Sequence, residues 1–118
     1  MLQLIAHLIG DYCLQNQWMA NNKTSRWLPA LVHALLYTLP FLLVTQSWQA
    51  LAVIGLTHAI IDRYRLAKYW VRLWGIGVPG ILWGRSSEPP PPFLAVWLLI
   101  IVDNTAHLAI NYAAIAWL

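Results

Sequence analysis

Three of the four acidic residues in this 118-residue chain stand four positions from a histidine, and all three pairs lie in strongly apolar segments. They are His7 with Asp11, His58 with Asp62, and Asp103 with His107. A spacing of four brings two side chains to one face of a helix, one turn apart. Neutral imidazole and carboxylate together suit a divalent transition metal, zinc first, with manganese, iron or nickel as alternatives; the lack of thiolate partners argues against softer ions. Adding His33 gives a set of ligand-grade groups (His7, Asp11, His33, His58, Asp62, Asp103 and His107) larger than the three or four protein ligands of one catalytic zinc. The surplus leaves room for a general base, for which Asp11 and Asp103 are the candidates. Gln15, Asn104 and Asn111 are expected to polarise or support the ligands.

The segments that must position these groups are apolar enough for a bilayer. The chain is 60% hydrophobic and 9% charged, where soluble domains carry roughly 25% charged residues. Its eight Trp and five Tyr suit rings that anchor helices at two membrane interfaces. The reading is an all-α, integral membrane, four-helix antiparallel bundle forming a single transmembrane domain over 1–118. Its spans fall at about 2–20, 27–44, 47–66 and 93–117, each near the roughly 20 residues a bilayer requires. Pro29 suits a first helical turn and Pro40 predicts a kink. The third helix is expected to run on through Asp62, Arg63, Arg65, Lys68 and Arg72. A cytoplasmic loop occupies 74–92, because the prolines 89–92 cannot be helix interior. The first segment has neither a basic start nor a small-residue cleavage site, so it reads as a retained span.

Orientation follows from charge. Lys23 and Arg26 lie in the first connection; Arg63, Arg65, Lys68, Arg72 and Arg85 lie in or beside the third. Odd connections of a four-span bundle share one side, which the positive-inside rule makes cytoplasmic, leaving both termini outside. With a net charge of +3 and no basic run, these residues imply contact with anionic lipid near Arg63, Arg65, Lys68 and Arg72, and no nucleic acid. Rise along the helices puts Asp11, His58 and Asp103 at about 13–16 Å from the outer boundary, with the other four within reach of one cavity. The only cysteine, Cys13, is expected to be a plain buried thiol. Ala106, Ala109, Ala113 and Ala116 are expected to serve helix packing, with a homo-oligomer seam as the alternative.

The run His7-Leu-Ile-Gly-Asp11-Tyr-Cys-Leu-Gln15-Asn-Gln-Trp-Met19-Ala-Asn-Asn-Lys23, with His33, Thr57-His58-Ala-Ile-Ile-Asp62 and Asp103-Asn-Thr-Ala-His107, resembles a known family. It is similar to the bacterial and phage membrane proteins grouped as domain of unknown function 3307, over nearly the whole chain. The resemblance implies a bacterial inner (cytoplasmic) membrane location, multi-pass. It marks His7, Asp11, Gln15, Lys23, His33, His58, Asp62, Asp103 and His107 as the family's polar positions. A looser likeness, through His-x-x-x-Asp signatures in apolar segments, is to membrane-bound metal-dependent hydrolases.

The leading functional expectation is a metal-dependent hydrolase of a lipid-like or membrane-embedded substrate. An ion or proton pathway is the alternative, since His and Asp at graded depths also form relays. A phage-type holin or exclusion factor, whose polar contacts serve assembly only, is the third.

Overall fold

The computed structural model describes residues 1–74 and 91–118, and every regular element among them is helical. Most of the expected loop 74–92, with Arg85, lies outside the described residues. The elements are α1 (Leu2–Leu8), α2 (Gln17–Asn22), α3 (Trp27–Thr38), α4 (Trp48–Tyr64), α5 (Ala67–Trp74) and α6 (Pro92–Trp117).

The first apolar segment is not one continuous span. From α1 the chain widens into a π-helical turn, Ile9–Cys13, closed by Leu14 N–H donating to the Ile9 carbonyl at 3.0 Å, and then leaves the helix. The break has a local cause: the Asn16 side chain accepts from Met19 N–H at 2.9 Å and starts α2 afresh. An N-cap of this kind is worth about 1 kcal/mol and competes with helix continuation. The ladder Gln3–His7–Asp11–Gln15 is therefore cut before Gln15, whose buried Oε1 has no hydrogen-bond partner.

At Pro40 the helix tightens rather than simply kinking. A 3-10 turn over Leu39–Leu43 extends α3, as befits a residue with no N–H to give to the α ladder. Further on, the expected run from Asp62 to Arg72 is interrupted. Arg65 takes a left-handed backbone, φ 50°, ending α4 before α5 starts at Ala67. A left-handed residue just past a helix end is the usual way to stop it. In α6 the proline run delivers Pro92 as the first helical residue, where a missing N–H costs nothing.

Among the described residues one helix, Ala95–Trp117, is long and apolar enough to cross a membrane. The α3 helix with its 3-10 extension forms a shorter apolar helix, Trp27–Leu43, and α4 has 17 residues. Both sit at the short end of the roughly 17–25 residues seen for spans.

The chain divides into two compact units, Met1–Tyr64 with His107–Leu118, and Arg65–Ala106. The first has a small apolar core of Ala6, Tyr37, Phe41, Ala50, Ile54 and Ala114. The π-helical turn comes close to α3 at Gly10, where a Cβ would meet Tyr37 Cδ2 at 2.6 Å and the Tyr37 carbonyl at 2.9 Å. Only glycine lets the π-helical turn lie this tightly on α3.

Polarity in this unit is inverted relative to a water-soluble domain. His7, His33, His58, His107 and Asn111 are fully buried, while Leu2, Leu28, Leu35, Leu43 and Leu56 are exposed, Leu35 by 67%. On α6, His107, Asn111 and Ala114 face inward and Ala109 and Ala116 outward. Of the expected alanine stripe, Ala109 and Ala116 are exposed and Ala113 is half-buried in this unit. Cys13, the last residue of the π-helical turn, is exposed, against expectation.

Candidate metal centre

Five elements of the first unit supply one buried polar cluster. His7 comes from α1 and Asp11 from the π-helical turn; His33 and Tyr37 come from α3, His58 and Asp62 from α4, and His107 and Asn111 from α6. The π geometry matters because Asp11 sits at its centre, and such turns re-aim side chains that an α-helix would direct elsewhere. The i,i+4 pairs behave differently from one another. His58 Nε2 and Asp62 Oδ2 are 3.2 Å apart, whereas His7 Nε2 and Asp11 Oδ2 are separated by 3.7 Å.

The tightest grouping crosses between helices. His33 Nε2 lies 3.0 Å from His58 Nε2, 3.2 Å from Asp11 Oδ1 and 3.2 Å from Asp62 Oδ2. His58 Nε2 lies 3.4 Å from Asp11 Oδ1. Asp11, His33, His58 and Asp62, all buried, each offer one ligand atom, and these atoms lie within 4.8 Å of one another. The cluster could hold a metal ion. Two imidazole nitrogens facing each other at 3.0 Å need a proton or a cation between them, since two lone pairs repel.

Lys23, from the turn after α2, reaches into the same cluster. Its ammonium donates to Asp62 Oδ2 at 2.6 Å and lies 3.3 Å from His33 Nε2. Lys23 is 16% exposed by side chain, against 5% for Asp62, so it forms the more open margin of the cluster. Beside it, Arg63 donates to the Thr24 carbonyl at 2.6 Å and lies over the rings of Trp27 and Tyr64, 5.6 Å from each centroid. Two cationic contacts thus pin the α2–α3 turn to the end of α4.

Behind the four-atom group the imidazoles continue. His58 Nδ1 is 3.2 Å from His107 Nδ1, and His107 Nε2 is 3.5 Å from Asp62 Oδ1. Tyr37 organises this side. Its ring stacks on His58 at 3.6 Å and 12°. Its hydroxyl accepts from Asn111 Nδ2 at 2.6 Å and meets His7 Nδ1 at 2.8 Å. By contrast His33 Nδ1 is buried with no hydrogen-bond partner, so that ring is oriented from its Nε2 edge.

The charge balance is informative. Among the described residues of this cluster in the first unit, with all imidazoles neutral, the Asp11 and Asp62 carboxylates face the one Lys23 ammonium, leaving a net negative charge in a buried place. Such a charge is costly, and either a metal cation or an imidazolium proton relieves it.

The model of the family described as protein of unknown function (DUF3307) matches residues 1–117. The chain belongs to that family. No curated protein and no solved structure matches it.

Among the candidate residues of this DUF3307 chain, the first unit brings together His7, Asp11, His33, His58, Asp62 and His107. Asp103 and Asn104 stand on α6 within the second unit, half-buried, Asp103 one turn before His107. Asn111 supports the cluster through the Tyr37 hydroxyl. Gln15 is removed from the helical ladder by the break at 14–16. Sequence reasoning passed over Tyr37 as a site residue, although it follows His33 by four positions on the same helical face. Lys23 was legible as a family position and as a topological charge, but its direct bond to Asp62 was not.

Proposed function

We propose that this chain is a membrane-embedded metal-dependent hydrolase whose divalent ion, zinc first, is held by His33, His58, Asp62 and Asp11. The observation that carries the reading is the donor cage. A tetrahedral zinc site with bonds of about 2.0–2.1 Å has donor–donor edges of about 3.3–3.4 Å. Five of the six edges of this group measure 3.0–3.4 Å, contributed by three separate segments. A set that is merely hydrogen-bonded has no reason to bring two imidazole nitrogens and two carboxylate oxygens to a common centre.

An ion held by these imidazoles and carboxylates would supply a Lewis acid, and the protein residues divide the remaining work. Asp11 would also be placed to take a proton through its second oxygen, 3.7 Å from His7 Nε2. Asp103 is the other candidate base, one turn from His107. Lys23 would neutralise negative charge developing at the open margin. The polar interior and apolar exterior support a bilayer location, and a lipid-like substrate, since apolar surface of this extent is not left in water. On this reading the inner membrane, several spans and extracytoplasmic termini remain as the charge distribution implies.

A second reading draws on a different observation. His33 Nε2, His58 Nε2, His58 Nδ1 and His107 Nδ1 form a continuous imidazole series at 3.0 and 3.2 Å steps, with Lys23 at one end. Such a series conducts protons in relays.

One set of measurements separates the two. Elemental analysis of detergent-purified protein should find a stoichiometric transition metal, lost in an Asp11/His58/Asp62 triple alanine variant. Metal-loaded protein in nanodiscs should hydrolyse at least one of a phospholipid, an isoprenoid phosphate or a peptide. Asp11→Asn should lower metal content and turnover together. Metal-free protein that carries protons across liposomes would replace the hydrolase reading with the relay.

A further inference from the structure

The second unit carries a groove that the polar cluster does not use. It has a volume of about 810 Å³ and is lined by Lys68, Tyr69, Val71 and Arg72 of α5 and by Ala95, Val96 and Leu99 of α6. The α6 contribution is an apolar stripe, residues i, i+1 and i+4 of one helical face. The α5 contribution is mixed. Lys68 and Arg72 are one turn apart and both exposed, and no carboxylate lines the groove.

Two cations at i,i+4 repel each other, and α5 contains no acidic residue to separate them. The arrangement becomes favourable when an anion sits between them. Arg72 offers a planar fork that matches phosphate oxygens, and Lys68 a mobile point charge. The Lys68 ammonium lies 4.8 Å from the centroid of the Tyr69 ring, which holds it at the groove edge. On the opposite side of α5, Trp70 and Trp74 are exposed, with ring centroids 5.9 Å apart. Only Ala67 and Val71 are buried. A short helix with a basic edge, large exposed aromatic rings and a narrow buried seam has the form of an element lying in a membrane interface.

We propose that this groove is a binding site for an anionic phospholipid, with the phosphate between Lys68 and Arg72 and an acyl chain along Ala95, Val96 and Leu99. Charge complementarity selects the headgroup, and the apolar α6 stripe selects a lipid over a free phosphate ester. The site requires a bilayer location but not the metal centre, so it stands or falls separately from the hydrolase reading.

The test is native mass spectrometry of the full chain released from nanodiscs containing equal phosphatidylglycerol and phosphatidylcholine. Wild type should retain phosphatidylglycerol in roughly tenfold excess, since each basic residue near a membrane surface adds appreciable affinity for anionic lipid. Lys68→Gln with Arg72→Gln should bring the two lipids to parity. Leu99→Trp, which fills the apolar end, should reduce retention of both. Metal content should be unchanged in both variants. Equal retention by wild type, or a preference that survives the double substitution, would overturn the proposal. So would displacement of the lipid by an equal concentration of glycerol phosphate.

Discussion

The polar cluster of the first unit and the α5 helix of the second place their ionisable residues in opposite ways. In the cluster, Asp11, Asp62 and four histidines are buried and face one another, while leucines of the same helices face outward. On α5 the cations Lys68 and Arg72 are exposed, the rings of Trp70 and Trp74 are exposed on the opposite side, and only Ala67 and Val71 are buried. Burial makes the cluster's charges depend on their partners, since an unpaired ion in a protein interior costs several kcal/mol. Exposure makes those of α5 almost independent of folding. Charge in this molecule is therefore structural in one place and available for contact in the other.

The strongest way to break that contrast is at Asp62. Its carboxylate faces Lys23 at 2.6 Å and three imidazoles at 3.2–3.5 Å. Asp62→Ala strands the Lys23 ammonium and should destabilise the protein by about 3–5 kcal/mol, read as a large fall in Tm in detergent. Adding Lys23→Met should recover part of the loss, because removing both partners is far cheaper than removing one. If the double variant were no more stable than Asp62→Ala, the pair would not be what the burial protects.

Next in size is Gly10→Ala. The added methyl would stand 2.6 Å from Tyr37 Cδ2 and 2.9 Å from the Tyr37 carbonyl, so the π-helical turn must move off α3. Overpacking of this kind costs about 1–3 kcal/mol, and the displacement carries Asp11 away from His33. Tm should fall and metal content should fall with it. A stable variant with unaltered metal content would show that the close approach does not position Asp11.

Tyr37→Phe is gentler. It keeps the ring stacked on His58 but leaves Asn111 Nδ2 and His7 Nδ1 without the hydroxyl that joins them. An unsatisfied buried polar group costs about 1–3 kcal/mol, visible in Tm, while metal content should stay near wild type because no donor of the cage is removed. Loss of metal would instead make the hydroxyl part of the site.

The smallest expected effect sharpens the other half of the comparison. Lys68→Gln with Arg72→Gln should change Tm in lipid-free detergent by no more than the equivalent of about 0.5 kcal/mol, as exposed substitutions usually do. A marked loss of stability there would place α5 among the structural charges.

How much of this was legible beforehand depends on the range of the physics involved. The His-x-x-x-Asp spacing pointed to His7, Asp11, His58, Asp62 and His107 because helical periodicity is local and survives in any helix. It could not say that the shortest contacts join different helices, such as His33 to His58, since those depend on packing. The break at residues 14–16 was readable in principle from Asn16, a good N-cap, but the apolar run around it outweighed one residue. Arg65 gave no such warning, because its left-handed backbone is imposed by the turn from α4 to α5 and not by its side chain.

What the sequence determined by itself is the all-helical class, the family, and the confinement of ionisable groups to apolar segments. These follow from composition and from periodicities of a few residues, which every copy of the chain carries before it folds. Only the tertiary structure decided that Asp11 and Asp62 share His33 and His58, that Lys23 closes on Asp62, and that Tyr37 links His7 to Asn111. Apart from the local His58–Asp62 pair, those contacts span 22 to 74 positions along the chain. They form because a buried carboxylate cannot remain without partners, and the partners within reach are set by how closely Gly10 and the neighbouring helices allow the backbone to approach.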